Sequence, residues 1–417
     1  MSSLTRAEEV VARCKKLASF SEDPGSTRRT FLSPPMRDCH RNLTEWLAAA
    51  GAEVAVDAAG NLRAFYAAEQ PRAARLLLGS HLDTVPNAGA YDGVLGVVVA
   101  VALLESLERR RLPFAIELVG FSEEEGVRFA TPFIGSRALV GRLDQQLLNC
   151  QDRNGVSIRT AIKDFGLDPE QIPCAVISEN TLAYLEFHIE QGPVLESLGQ
   201  PLGLVEAIAG QTRMEFTFVG RGNHAGTTPM HLRHDAIAAA AEWILEVEST
   251  AQRDPGLVAT VGQIAAIPGA TNVIASQARL SLDLRHRSDE IRLRATATLT
   301  KLAEEIAGRR GLTVQNSELL SQRAVEMDPV LIREIENAMR SLGCQGHRMI
   351  SGAGHDAMIL AEKVPAAMIF LRTPGGISHD PCESVVTEDV AKAIECGSHL
   401  LEQLASSSEF QKRMCRA

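Results

Sequence analysis

His81 and Asp83 stand two residues apart in GSHLD, Asp92 follows in a glycine-rich loop, and Glu123, Glu124 and Glu125 stand side by side in GFSEEEG. Farther along come His188 in LEFHIEQGP and His379 in GGISHDPCES. Imidazole and carboxylate without thiolate form a donor set suited to zinc, manganese, nickel or cobalt. A His–Asp pair alone is a weak signal, because that spacing recurs without a metal. The glutamates sharpen it. Like charges a few ångströms apart repel strongly at protein-like dielectric, so a cation has to sit among them. Five segments thus supply a mixed set of ligands, and one carboxylate shared between two ions makes a two-metal site of the kind that activates water for hydrolysis.

These residues need a scaffold that brings distant segments together. Residues 6–18 and 36–50 have helical patterning, EVAVD and LRAFYA read as short strands, and ARLLLGSHLD reads as a buried strand ending in polar residues. GVLGVVVAVALLESLERRR reads as an apolar helix with a basic end, followed by the strand FAIELVGF. Apolar strands alternating with helices predict an α/β layer whose functional groups gather at strand ends. From about residue 210 the texture changes. TRMEFTFVG, DAIAAAAEWILEVEST, LVATVGQIAAI, ARLSLDLRH, DEIRLRATATLTKLAEEIAGRR and LTVQNSELL give the order β-α-β-β-α-β of a ferredoxin-like split unit. The helix DPVLIREIENAMRSLG and the buried strand KVPAAMIFLRT then resume the first pattern. The expectation is a mixed-sheet α/β catalytic domain over 1–209 and 325–417, with an α+β domain inserted over 210–324.

Composition narrows the function. The chain has 417 residues, enough for two cores, and a formal net charge of −10 that argues against a nucleic-acid partner. No apolar run reaches membrane-spanning length and no apolar signal core opens the chain, so a cytoplasmic protein with no membrane partner is expected. The eight cysteines form no C-x-x-C pair and are expected to be free, mostly buried thiols.

H-x-D, Y-D-G, E-E-G-x-R-F, H-I-E-Q-G-P, N-H-A-G-T-T-P-M and G-I-S-H-x-P occur here in that order. Together they resemble the hydantoinase/carbamoylase branch of the aminoacylase-like metallopeptidase clan, which includes N-carbamoyl-L-amino-acid hydrolases, β-ureidopropionases and allantoate amidohydrolases. The resemblance implies two divalent ions per subunit (Mn, Zn, Co or Ni). It places His81 and His188 on one ion, Glu125 and His379 on the other, Asp92 between them, and Glu124 as general base. Asp83 would hold the second N–H of His81. Glu123 receives no role and is expected to be an exposed loop acid. In the insert, the resemblance makes Arg285 the clamp on a substrate carboxylate, Asn272 and Gln191 amide contacts to substrate, and His224 the stabiliser of a developing oxyanion. His355, in SGAGHDAM, would shape the site without binding metal.

The reaction implied is hydrolysis of the terminal ureido C–N bond of a small ureido acid, releasing ammonia and CO2. AIAGQTR, with Gln211 after the glycine, resembles allantoate amidohydrolases more than carbamoylases, which puts allantoate ahead of N-carbamoyl-L-amino acids. A di- or aminopeptidase would share the metal motifs, and a non-catalytic binding relative would be expected to have lost a ligand or the base. The resemblance further implies a homodimer paired through the insert, and a hinge between open and closed forms.

Overall fold

The computed structural model describes residues 2–414. Helices α1 (Ser3–Ala18) and α2 (Pro34–Ala50) lead into strands β1 (Glu53–Val56), β2 (Leu62–Tyr66) and β3 (Arg75–His81). Next come α3 (Val94–Ser106) and β4 (Ala115–Phe121). The crossover to β5 (Thr181–Ile189) carries short helices α4 (Ile134–Leu139), α5 (Gln145–Leu148) and α6 (Ile158–Asp164), and α7 (Val194–Ser197) precedes β6 (Leu202–Ile208).

A second series follows: β7 (Gly210–Val219), β8 (Asn223–His224), α8 (Ala236–Arg253), β9 (Val258–Thr260), β10 (Ile264–Ile267), β11 (Val273–Ile274), β12 (Gln277–His286), α9 (Asp289–Arg309) and β13 (Thr313–Gln322). The chain then forms β14 (Val325–Glu326), α10 (Pro329–Ser341), β15 (His347–Ser351), α11 (Asp356–Leu360), β16 (Ala366–Leu371), α12 (Thr387–Ser406) and α13 (Ser408–Met414).

Two compact units result. The first runs to Glu206 and takes in Met327–Met349 and the chain from His355; the second comprises Ala207–Glu326 with Ile350–Gly354. The sequence reading leaves that last pentapeptide in the catalytic part and begins the insert at 210.

In the first unit the strand order is β1-β2-β4-β3-β5-β16-β6. β4, β3, β5 and β16 run parallel, whereas β1, β2 and β6 are antiparallel to their neighbours. The four parallel strands are buried along almost their whole length and apolar on both faces, as strands covered by helices on both sides must be. α3 explains the unbroken run of Val, Leu and Ala in its sequence: every residue from Val94 to Leu104 is buried, so this helix has no solvent face. It packs so closely that a Cβ at Gly96 would stand 1.9 Å from the Phe187 carbonyl oxygen. Four parallel strands bring four carboxyl ends to one edge, and the loops that follow them carry the chemistry.

The second unit is built on an antiparallel sheet of order β10-β12-β7-β13, with β9 also paired to β12. Taken as β7-α8-β10-β12-α9-β13, this is the strand order of a ferredoxin-like unit. Trp243 of α8 is fully buried against Phe216 and Phe218, and its indole N–H donates to the Leu299 carbonyl at 2.9 Å. LVATVGQIAAI, expected as one strand, is two. β9 pairs with Asp283–Arg285 and β10 with Gln277–Leu280, and the Ser281 hydroxyl accepts the Gln263 N–H in the gap.

The seven cysteines among the described residues are free, but only Cys14, Cys39 and Cys396 are buried; Cys174 and Cys382 are exposed. The expectation of mostly buried thiols fails, and Cys415 lies outside the described residues. Among the described residues no helix is long and apolar enough to cross a membrane.

Candidate dinuclear metal centre

His81 is the last residue of β3, Glu124 and Glu125 follow β4, His188 is the penultimate residue of β5, and His379 follows β16. The fold therefore delivers four ligand segments to one sheet edge, and the loop between β3 and α3 delivers Asp92. Gly93 is what lets that loop approach: its φ is +67°, and a Cβ there would lie 2.4 Å from the His81 ring.

Asp92 faces both halves of the cluster. Its Oδ1 lies 3.3 Å from Nε2 of His188 and 3.8 Å from Nε2 of His81, while its Oδ2 lies 3.0 Å from Nε2 of His379. His379 Nε2 is also 3.4 Å from Glu125 Oε1. Of the groups of potential ligands here, His81–Asp92–His188 and Asp92–Glu125–His379 share one carboxylate, and a further group, His81–Glu124–Glu125, brings Glu124 within ligand reach as well. Such an arrangement suits two cations with a bridging carboxylate.

The hydrogen bonds set the imidazoles for this task. His81 Nδ1 faces the Asp83 main-chain oxygen at 3.0 Å, and His188 Nδ1 faces the Ile189 oxygen at 2.9 Å. A carbonyl only accepts, so each Nδ1 carries the hydrogen and each Nε2 is left with its lone pair turned into the cluster. Asp83 meets the His81 N–H through its main-chain oxygen more closely than through its carboxylate. Its carboxylate is 3.5 Å from His81 Nδ1, but it accepts the backbone N–H of Glu124 at 2.9 Å and of Glu125 at 3.1 Å. The Asp83 carboxylate thus fixes the glutamate pair more directly than the imidazole, which the residue's main-chain oxygen holds.

Electrostatics report an unmet demand for positive charge. Burial, reinforced by the neighbouring Glu125, Asp356 and Asp83 carboxylates, pushes Glu124 well above the ordinary carboxylate range, and burial also raises Glu125. For Asp92 burial is outweighed by the His379 and His81 imidazoles, which hold it well below that range. His379 rises to about 10 beside Asp92 and Glu125, and burial lowers His188 to about 4.

Glu123 is not the exposed loop acid expected from its position. It is fully buried, one carboxylate oxygen has no hydrogen-bond partner, and burial together with Asp83 raises it well above the ordinary range. Gln191 lies in the cluster, but its amide nitrogen donates to both Asp92 oxygens, at 3.2 and 3.0 Å. Gln191 and His379 are both held at positive φ, 59° and 56°, a strained backbone region that recurs at functional sites.

Two residues missed by sequence reasoning support the ligands. Glu383 is buried, and one of its oxygens accepts the N–H of Tyr91 at 2.8 Å and of Asp92 at 3.0 Å. Its other oxygen accepts the Ser378 hydroxyl at 3.3 Å. Glu186, on β5, accepts from Ser80 at 2.9 Å and from the Ala357 N–H at 3.1 Å. His355 packs edge-on against His188, ring centroids 4.5 Å apart. Glu186, His188 and His355 also converge closely enough to hold an ion, but the first two hydrogen bonds already occupy Glu186.

The remaining candidates lie in the second unit. Antiparallel pairing of β8 with β11 sets His224 opposite Val273 and beside Asn272, whose carbonyl accepts the Ala225 N–H at 3.0 Å. His224 is exposed and its Nδ1 accepts the Gly226 N–H at 3.1 Å. Arg285 and Gln211 stand directly opposite each other on β12 and β7. Nε and Nη2 of Arg285 already grip Asp283, at 2.7 and 3.0 Å, and Nη1 donates to the Gly352 carbonyl at 2.7 Å. Three of its N–H groups are thereby used, leaving the remainder for a ligand.

Residues 77–403 match the model of Peptidase family M20/M25/M40. The chain is 39% identical over 412 residues to the N-carbamoyl-L-amino acid amidohydrolase of Geobacillus stearothermophilus, covering 96% of this chain and 99% of that protein. It is 35% identical over 419 residues to a probable allantoate deiminase of Oryza sativa subsp. japonica, covering 92% and 85% respectively. Among solved structures, a hydantoinase/carbamoylase family amidase from Burkholderia ambifaria superposes with a TM-score of 0.89 at 31% identity, covering 96% of this chain and 98% of that one. With clustered imidazoles and carboxylates at its sheet edge and full-length relatives of one kind, the chain belongs to the M20/M25/M40 family, in its hydantoinase/carbamoylase branch.

Proposed function

We propose that the protein is a dinuclear metal amidohydrolase that cleaves the terminal ureido C–N bond of a ureido acid, allantoate first, with release of ammonia and CO2. The observation that carries the reaction type is the Asp92 carboxylate turned to His81 and His188 on one side and to His379 and Glu125 on the other. In this reading His81, His188 and Asp92 hold one ion and Glu125, His379 and Asp92 the other. When bound, the ions polarise the scissile carbonyl and make water acidic enough to attack near neutral pH.

The chain's own groups do the rest. Glu124, next to a ligand but outside both groups that share Asp92, takes the proton from the attacking water and returns it to the departing nitrogen. Arg285, oriented by Asp283, takes the substrate carboxylate on its remaining N–H groups, and Gln211 across the ladder supplies an amide for the second ureido arm. His224 and Asn272, set side by side by β8 and β11, bind the oxyanion and the substrate backbone. We further propose a cytoplasmic homodimer paired through the second unit. Its edge strand β10 is exposed throughout and presents Ile264 and Ile267, the kind of edge that pairing covers.

The names of the relatives divide between two substrates, and the 39% identity to a carbamoylase favours the second reading, an N-carbamoyl-L-amino acid. Ammonia release by manganese-loaded protein decides between them, assayed on allantoate beside a panel of N-carbamoyl-L-amino acids. Preference for allantoate is the expected result. Preference for the carbamoyl amino acids establishes the second reading, and silence on every ureido acid with metal bound overturns both.

A further inference from the structure

One side chain grips both ends of the loop that carries Glu124 and Glu125. Asn61, fully buried, stands just before β2 in the turn that joins it to β1. Its amide oxygen accepts the Ser122 N–H at 3.1 Å, and its amide nitrogen donates to the Gly135 carbonyl at 3.1 Å. Ser122 follows β4 and stands two residues before Glu124; Gly135 is the second residue of α4. An N–H only donates and a carbonyl only accepts, so these two partners fix which end of the amide faces which. The turn holds itself rigid. Asp57 Oδ1 accepts the N–H groups of Ala59 and Asn61, at 2.9 and 3.0 Å, and Asp57 Oδ2 accepts from the Asn61 amide at 2.9 Å. The Ser122 hydroxyl donates back to the Ala59 carbonyl at 2.8 Å. In such a buried network the loss of one partner strands the others.

The loop needs such a grip. Ala130 and Phe133 are held at φ of 51° and 66°, conformations that persist only where the surroundings impose them. The Phe133 N–H reaches the Glu124 carbonyl at 3.3 Å, which ties the glutamate to the end of the loop next to Gly135. Packing there is close: a Cβ on Gly135 would stand 2.3 Å from Asn61 Oδ1 and 2.9 Å from the Ser122 nitrogen. The Asp83 carboxylate holds the Glu124 and Glu125 N–H groups themselves, and Asn61 fixes the backbone on either side of them. His81, Asp92, His188 and His379 ride on other segments. A shift of this loop therefore moves Glu124 and Glu125 and leaves the other four in place.

We propose that Asn61 is a positioning residue, setting the backbone from which Glu124 reaches the attacking water and Glu125 reaches its ion. This rests on the roles proposed above for those two glutamates. Asn61→Asp keeps an oxygen for the Ser122 N–H but turns a second one toward the Gly135 carbonyl. Gly135→Ala crowds the amide and the Ser122 backbone while Asn61 stays. Both variants are compared with wild type for turnover with manganese, on allantoate and on N-carbamoyl-L-amino acids, and for cobalt(II) binding by visible absorption. In each, kcat should fall about 10- to 100-fold at little changed KM. Affinity for one of the two cobalt ions should fall about tenfold while the other ion is kept. Combining the two substitutions should cost little more than the worse one alone, since both cut the same grip. Ser122→Ala, which removes a single hydroxyl, repeats the test if either variant fails to fold, with a smaller loss of the same pattern. Equal weakening of both ions, or unchanged kcat and cobalt spectra in a folded variant, overturns the proposal. If wild type hydrolyses no ureido acid, the proposed function falls by itself and the cobalt titration still decides here: selective loss of one ion supports the role of Asn61, and its absence overturns it.

Discussion

The Nε2 atoms of His81 and His188 face each other 3.4 Å apart, with both Nδ1 atoms committed to backbone carbonyls. Two lone pairs at that distance repel unless something positive lies between or beside them. Asp92 Oδ1, 3.3 Å from the second imidazole, completes a pocket of donors for a cation. Burial lowers His188 to about 4. For His81 burial is outweighed by the Asp83 and Asp92 carboxylates, which raise it well above its ordinary value, so a proton on His81 competes with a cation for this place. On the other side His379 rises to about 10 beside Asp92 and Glu125, so metal binding displaces protons at both places, and the stability of the cluster is tied to the cation it holds.

Metal removal is therefore expected to destabilise the fold as well as abolish turnover. At a free metal concentration one hundred times Kd, ligation of the native state contributes about 2.7 kcal/mol per ion. Thermal melts of chelator-treated protein should show a lower Tm that rises in a saturable way as manganese is returned. A melting temperature indifferent to both treatments would remove the metal centre from the account.

Glu124→Gln isolates the base. Glu124 converges with His81 and Glu125, but the five proposed ligands are all kept in the variant, so both ions should stay bound, as read by elemental analysis. The amide cannot take a proton, and kcat should fall by about 100- to 10,000-fold. A variant with near-normal turnover, or one that loses its metal, contradicts the assignment.

How much of this was legible from residues alone differs from place to place. The strand ends were legible because apolar runs stop abruptly at His81, at Ser122 and near His188, and parallel strands must share an edge. The second unit was legible because TRMEFTFVG and ARLSLDLRH alternate on a period of two. Its break between β9 and β10 was not, since a side chain, Ser281 on the neighbouring strand, fills that gap. Glu123 misled because a third glutamate in a loop is ordinarily solvated; its burial depends on the packing of residues 31 and 128 around it. Glu383 left no trace, because a lone glutamate after Asp-Pro-Cys gives no spacing to read, and its partners lie 291 and 292 positions away in sequence.

Glu383 acts through Asp92, holding the peptide that carries it and reaching Ser378 beside His379. Glu383→Ala should lower metal affinity or kcat/KM by roughly 10- to 100-fold, the usual effect of removing a group that orients a metal ligand. Glu383→Gln retains an oxygen that can accept the same two N–H groups and should restore much of the loss. The readout is metal affinity by competition with a chelating dye, alongside kcat and KM. If Ala and Gln behave alike, the hydrogen bonds to Tyr91 and Asp92 are not what matters.

His40 supplies a pH dependence away from the ligands. It is buried in α2 edge-on to Phe165, and burial, with Arg29 and Arg37 nearby, lowers it from its ordinary 6.5 to about 4. The folded protein thus holds it neutral where the unfolded chain would take a proton. Its contribution is complete above about pH 6.5 and is lost as pH falls toward 4, a difference of roughly 3 kcal/mol at most. In urea unfolding at pH 7 and at pH 4.5, wild type should lose more stability on acidification than His40→Gln, whose amide does not titrate. Parallel losses in the two proteins would show that the acid sensitivity arises elsewhere.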